Sequence, residues 1–294
     1  MSIEAYTAKA ATLIEALPYL QAFRGQTFLI KMGGSAMEDP ELVKKVMRDI
    51  VFLEVVGVNP VIVHGGGKAI SAAMQEAGLE AKFIGGFRVT TPEAIEIVEK
   101  TLSDTLNPSL VEMLREFGGK AVGVPGTDVF IGERIKSTND QGERVDIGRV
   151  GQVVGSQKEK MQEALNANIV PVISPLASEL GTGKPLNVNA DLAAAALAKD
   201  LRAAKLIYLS DVPGLMRDPA QPDTLIPSIN PAQAASLMED GTISGGMIPK
   251  INSALDALNN GVNKVHFIDG RQAHSLLLEI FTKSGIGTEV TNAN

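Results

Sequence analysis

Two short apolar runs, residues 27–32 and 60–64, each deliver a glycine turn to the start of an amphipathic helix. The first leads into Lys31-Met32-Gly33-Gly34-Ser35 and the second into His64-Gly65-Gly66-Gly67-Lys68. Strand, turn and helix twice in succession predict a mainly parallel sheet with helices on its faces, joined by right-handed crossovers. The two turns then lie side by side at the carboxyl edge of that sheet and can cradle one anion between two helix N-termini. Adjacent glycines let backbone N–H groups approach an anion with no Cβ in the way, and a lysine at a strand end supplies compensating charge. Residues 28–35 alone fit a plain strand–turn–helix connection with a snorkelling lysine equally well. Three consecutive glycines are harder to explain by packing, because each costs conformational entropy.

The alternation continues along the chain. Helices are expected over 40–56 and 67–77, the latter closed by Gly78, and from Thr91-Pro92-Glu93 to about Phe117 with a break near Asn107-Pro108. Strand 120–124 follows. Segments 129–136 and 143–154, separated by a turn-rich stretch, predict an antiparallel hairpin pinned to the edge of the main sheet. After helix 157–167 and strand 169–173, residues 179–184 read as a second hairpin tip. Helix 190–200, strand 205–210, helices 231–240 and 246–260, strand 264–268 and helix 272–282 complete the pattern. In front of it, Ile3, Tyr6, Ala10, Leu13, Ile14, Leu17 and Leu20 form the stripe of an amphipathic helix that Pro18 should kink or end. That helix packs on its own domain or reaches a second subunit. The expected class is α/β: a three-layer αβα sandwich with a mainly parallel central sheet plus an N-terminal extra helix. Its two lobes meet near residue 175.

Composition narrows the chemistry. The 294 residues carry a formal charge of −7, which argues against a nucleic-acid surface, so any bound anion is held locally. No cysteine excludes disulfides and thiolate chemistry, and three histidines make a structural zinc site implausible. The N-terminus does not resemble a signal peptide and no apolar run is long enough to span a bilayer, so a cytoplasmic protein without a membrane partner is expected.

The second glycine turn is not a Walker A loop, since Ile62 stands five before Gly67 and Ala69 follows Lys68; a Gly-x-Gly-x-x-Gly fingerprint is also absent. In Asn187-Val188-Asn189-Ala190-Asp191, an extended backbone points Asn187 and Asn189 the same way, with Asp191 nearby in the first helical turn. Helix capping explains Asn189 and leaves Asn187 unexplained. Ser244-Gly245-Gly246-Met247-Ile248-Pro249-Lys250 is a third glycine turn, and a lysine there is unfavourable unless something anionic sits beside it. Leu209-Ser210-Asp211-Val212-Pro213-Gly214-Leu215 is a strand-end loop suited by position to a nucleotide. Arg88, beside Gly85-Gly86-Phe87, either forks onto a substrate carboxylate or is solvated at the surface.

Taken in order, these loops resemble the amino-acid kinase family over residues 27–288, within it the branch that phosphorylates N-acetyl-L-glutamate in arginine biosynthesis. The resemblance implies transfer of the γ-phosphoryl group of ATP to the γ-carboxylate of that substrate, with Mg²⁺ carried on the nucleotide and no protein metal site. It implies that Lys31 and Lys250 stabilise charge on the phosphoryl group in transit, held by Asp191, while Gly33, Gly34, Gly66 and Gly67 donate backbone N–H groups. Gly66, Gly67, Arg88, Asn187 and Asn189 would hold the acetylated amino acid. Leu209, Ser210, Asp211, Gly214, Gly246, Met247 and Ile248 would face the nucleotide. The implied units are an oligomerisation helix (1–22), a substrate-binding and dimerising lobe (23–175) and an ATP-binding lobe with an arginine site (176–294). The chain departs from the family pattern at Lys68, where proline is expected, at Phe87, where an aliphatic residue is expected, and at Thr127, where lysine is expected.

The two ends resemble the family's arginine-inhibited subgroup, in which such helices interlace three dimers into a hexamer. Tyr19, Lys205, His274, Glu279, Gly285 and Gly287 would then bind L-arginine. A sister kinase acting on aspartate or glutamate is the alternative, although aspartokinases usually carry a regulatory extension for which this chain has no room. A non-catalytic sensor on the same fold is the third reading.

Overall fold

The computed structural model describes residues 2–218 and 220–292; Met1, Pro219 and residues 293–294 of the expected units lie outside the described residues. In chain order the elements are α1 (Ile3–Phe23), β1 (Thr27–Met32), α2 (Pro40–Val55), β2 (Asn59–His64), α3 (Gly67–Glu76), β3 (Phe83–Ile84), β4 (Phe87–Arg88) and α4 (Pro92–Glu99). Then come α5 (Asn107–Glu116), β5 (Ala121–Val124), β6 (Phe130–Thr138), β7 (Arg144–Ser156), α6 (Lys158–Asn166), β8 (Val170–Ile173), β9 (Leu176–Glu179) and β10 (Pro185–Val188). The last are α7 (Ala190–Asp200), β11 (Lys205–Ser210), β12 (Ser228–Ile229), α8 (Pro231–Glu239), α9 (Met247–Asn259), β13 (Lys264–Asp269), α10 (Ser275–Ile280) and β14 (Thr288–Thr291).

Eight strands form one sheet in the order β12-β14-β13-β11-β1-β2-β8-β5. All neighbours are parallel except β13 and β14. The period of two along β1 explains the layers. Phe28, Ile30 and Met32 join a core with the inner residues of α2, α5 and α10, while Leu29 joins a second core with α7 and α9. Lys31 has the parity of Leu29 and therefore emerges on the α7 side.

Four expectations are corrected. The hairpin of β6 and β7 is not an edge of the main sheet: with β9 and β10 it closes a separate four-stranded barrel. Register shifts at Ile131/Gly132 and Arg134/Lys136 mark bulges that coil the ribbon away from the sheet plane. The helix does not break near Asn107-Pro108 but runs through a π-helical stretch at Lys100–Leu106 into α5, where the changed hydrogen-bond pitch accommodates Pro108. Pro18 likewise lies inside α1, on an exposed helix where water can take the freed carbonyl of Ile14. The last expected helix shrinks to α10, because His274 adopts a left-handed conformation just before it. Strands β3, β4 and β12 are two residues long and leave no periodic trace.

Candidate active site

Lys31 Nζ lies 2.8 Å from Asp191 Oδ1, joining the end of β1 to the first turn of α7. Gly33 makes this possible: a Cβ there would occupy the position of Lys31 Nζ, so only glycine lets the lysine fold over the turn. Gly34 has φ +61°, which favours glycine. A Cβ on Gly66 would strike Leu102 and Leu106, so this glycine lets the second turn sit against the π-helical stretch, whereas the Cα of Gly67 faces open space. Asn189 caps α7, accepting from the N–H groups of Asp191 (2.8 Å) and Leu192 (3.2 Å). The helices that follow the second and third glycine turns, α3 and α9, have no side-chain cap. The leading N–H groups of α3 are the kind of unpaired donors that an anion satisfies, whereas at the start of α9 those of Met247 and Ile248 donate to the carbonyls of Ser244 (3.1 Å) and Gly245 (3.3 Å).

Several of the expected residues line three adjoining cavities. Gly66, Gly67, Arg88, Asn187 and Asn189 surround a cavity of about 200 Å³. Asn189 also lines a second, of about 330 Å³, with Asp191, Gly246 and Lys250. A third, of about 520 Å³, shares Gly66, Gly67 and Arg88 with the first and adds Gly34, Lys68 and Asp211. Among the described contacts Asp191 pairs with Lys31 alone; Lys250 stands in the same cleft without an ion pair to it.

Arg88 is buried, not solvated. Its guanidinium donates to the Gly67 carbonyl (2.8 Å) and to Ser71 Oγ (2.7 Å) and lies 4.7 Å from the centre of the Phe83 ring. Burial lowers its pKa. Asn187 Nδ2 donates to Thr90 Oγ1 (3.1 Å), which itself donates to the Arg88 carbonyl (2.9 Å), so the asparagine and the arginine are positioned by one chain of bonds.

Two residues absent from the expectations complete the site. Tyr208 pairs with Lys31 across β1 and β11, stacks on Phe267 at 5.1 Å, and its hydroxyl lies 3.3 Å from Ser253 Oγ and 3.4 Å from the Asp191 carbonyl. Burial raises its pKa far above the ordinary phenol value, so it is a neutral wall of the cleft. The strand parity that carries Lys31 into the site would have found it. His64 is fully buried, with Nδ1–H donating to the Gly65 carbonyl (2.8 Å) and Nε2 accepting from Asn107 Nδ2 (3.2 Å). Burial depresses its pKa to about 4, so it is a neutral strut for the glycine turn.

On the nucleotide side of the expectations, Asp211 lines the third cavity, while Leu209 is fully buried in the core. Ser210 Oγ bonds within its own loop, to the Val212 carbonyl and N–H. Gly214 has φ +151°, and a Cβ there would meet Thr288 Oγ1 at 2.6 Å; the same hydroxyl accepts from Leu215 N–H. Met247 packs on the core and Ile248 is exposed at the start of α9.

The model of the amino acid kinase family matches residues 26–269. The chain belongs to that family. It is 67% identical over 282 residues to the acetylglutamate kinase of Akkermansia muciniphila, covering 96% of this chain and 95% of that one. It is 45% identical over 298 residues to the acetylglutamate kinase of Aquifex aeolicus, covering 96% and 97%. Among solved structures, the N-acetylglutamate synthase of Neisseria gonorrhoeae complexed with coenzyme A and N-acetyl-glutamate superposes with TM-score 0.82 at 26% identity. That match covers 97% of this chain, which spans 64% of the synthase. The same synthase complexed with coenzyme A and L-arginine gives TM-score 0.80 at 25% identity over 97% of this chain and 65% of that one.

Away from the cleft, this family member holds a second polar cluster. Glu279 accepts from the N–H groups of Ile286 (2.7 Å) and Gly287 (2.9 Å), and its other oxygen lies 2.7 Å from His266 Nδ1. His266 Nε2 is 2.9 Å from Lys205 Nζ. The arrangement is consistent with a neutral imidazole whose Nδ1–H donates to Glu279 and whose Nε2 accepts from Lys205. Burial lowers the pKa of His266, and that of Lys205 to about 8. The Lys205 ammonium lies 5.3 Å from the Phe23 ring centre, Tyr19 meets Phe281 edge-on at 6.4 Å, and a Cβ on Gly285 would press on Glu279. His274 is not in this cluster: its Nδ1 lies 2.6 Å from Asp49 Oδ1. His266, which the sequence expectations did not single out, stands where His274 was expected, between Lys205 and Glu279.

Proposed function

We infer that this protein transfers the γ-phosphoryl group of ATP to the γ-carboxylate of N-acetyl-L-glutamate, giving an acyl phosphate and ADP, in arginine biosynthesis. The observation that carries the reading is the Lys31–Asp191 pair, set where the cleft of Arg88 and Asn187 meets the cleft of Lys250 and Gly246. A carboxylate nucleophile has an ordinary pKa of about 4.3 and is ionised near neutrality, so no general base is required. The site agrees, since His64 is buried and neutral. Lys31, fixed by Asp191, and Lys250 from the opposite side neutralise charge as the phosphoryl group passes between acceptor and ADP. Uncapped N–H groups at the start of α3 hold phosphate oxygens, and Arg88 and the two asparagines hold the acceptor in line. Mg²⁺ bound to the nucleotide adds charge neutralisation; Asp211, the open carboxylate on the cleft wall, fits an outer contact to it.

In this reading residues 23–175 bind the amino acid, residues 176–294 bind ATP and residues 1–22 serve assembly into a homohexamer, a trimer of dimers in the cytoplasm. L-arginine inhibits by binding among Tyr19, Lys205, His266, Glu279, Gly285 and Gly287. The related synthase, solved with L-arginine, supports an arginine site on this fold. No helix among the described residues is long and apolar enough to cross a membrane. The test is coupled ADP release: N-acetylglutamate should exceed glutamate, aspartate, carbamate and UMP as acceptor. A preference for any of those four would assign the site to a sister reaction.

A further inference from the structure

Lys68 is a charge that the glycine turn does not explain. It is the second residue of α3, at the positive end of the helix dipole, where a lysine is unfavourable without an anion nearby. Its ammonium pairs with Glu38, which lies in the turn between β1 and α2, just before the α2 cap Asp39. The pair therefore ties the first glycine turn to the second, across the cavity lined by Gly34, Gly66, Gly67 and Asp211. The Lys68 side chain is 78% exposed and that of Glu38 34% exposed, and an ion pair so open to water is weak and exchanges readily. The other cation on this wall, Arg88, is engaged by the Gly67 carbonyl and Ser71. Two carboxylates, Glu38 and Asp211, face the same space. Without Lys68 the Glu38 carboxylate would repel a polyphosphate; with it, a flexible four-carbon stem rooted beside the open Gly67 carries a positive charge that can turn from Glu38 to a stronger anion.

We propose that Lys68 is a phosphate-positioning residue that neutralises Glu38 before nucleotide binds and swings to the phosphate chain of the bound nucleotide. This rests on the kinase reading and adds to it a cation at the position where the family pattern has proline. The test measures direct binding by calorimetry of the non-hydrolysable triphosphate MgAMP-PNP, and separately of AMP, to the full-length protein and to K68A, K68R and E38Q. K68A should weaken MgAMP-PNP about tenfold and leave AMP within about twofold, because only the distal phosphates meet the ammonium. K68R should bind like the native protein, and E38Q at least as tightly. If the pair is only a strut between the turns, K68A and E38Q will be equally defective and AMP will weaken too, which overturns the proposal. Unchanged MgAMP-PNP affinity in K68A overturns it as well. Native protein that binds MgAMP-PNP but does not phosphorylate N-acetylglutamate would sink the acceptor assignment and leave the Lys68 result standing. Native protein that does not bind the triphosphate overturns both.

Discussion

Lys31 and Asp191, 160 positions apart in the chain, meet at 2.8 Å because strand parity turns Lys31 toward the helix whose first turn holds Asp191. If the ammonium stabilises transition-state charge, Lys31→Ala lowers kcat by about a hundredfold or more, with little change in the KM for the acceptor. Asp191→Asn keeps the shape and releases the lysine, so it lowers kcat by a smaller factor. Steady-state ADP release on both variants decides it; an unchanged kcat in Lys31→Ala removes the lysine from the chemistry.

Gly33→Ala tests the turn separately from the charge. The added methyl takes the place of the Lys31 ammonium, and the three atoms nearest to it all belong to the Lys31 side chain, so it is the flexible lysine that must move first. Turnover should fall by roughly tenfold or more, as expected for a displaced catalytic group, while the circular dichroism spectrum and Tm stay near native values. Gly66→Ala behaves differently. Its methyl runs into Leu102 and Leu106, and the overpacking should destabilise the protein by about 1–3 kcal/mol.

The fold and the glycine turns that line the cleft were legible because their signals are local. A lysine before two glycines, or three glycines after an apolar run, states its chemistry within a few residues. The β6–β7 ribbon was legible as a hairpin but not as half of a barrel, since closure depends on pairing with β9 and β10 tens of residues later. Tyr208 and His266 sit in ordinary apolar strands, and their meaning arises only from the neighbours that sheet register supplies. His274 lies elsewhere for the converse reason: it is near Glu279 in sequence, while its left-handed backbone turns it to Asp49 on α2.

Asp49 makes stability depend on pH. Burial is the main cause that raises its pKa from 3.8 to about 6, with His274 opposing, and its second oxygen has no hydrogen-bond partner among the described residues. Between these values the folded state keeps a proton that the unfolded chain releases, so this contribution is fully present below pH 3.8 and is lost as pH rises through about 6. Asp49→Asn removes the buried charge, and should stabilise the protein at pH 8 by about 1–2 kcal/mol and by far less at pH 4. Urea unfolding at the two pH values measures the difference; equal effects at both would show that the carboxylate does not titrate in this window.

The N-terminal helix is where the chain exposes most apolar surface. Ile3, Tyr6, Leu13, Ile14 and Leu17 on α1 are 43–72% exposed, an unusual density for a helix that ends against a core. Its last turn is anchored, with Phe23 edge-on to Phe28 at 5.3 Å and Tyr19 edge-on to Phe281, so the preceding turns are held out from the body. An apolar helix face projected from a fixed root is suited to a second copy of the chain, which is the geometry that interlaced assembly requires. Deleting residues 1–22 should lower the mass measured by light scattering to that of a dimer or monomer while leaving a folded, ADP-releasing kinase. Because the deletion also removes Tyr19 from the Lys205–Glu279 region, arginine should inhibit the shortened protein less than the full chain. A hexamer that survives the deletion would end the assembly role of α1, whatever arginine does.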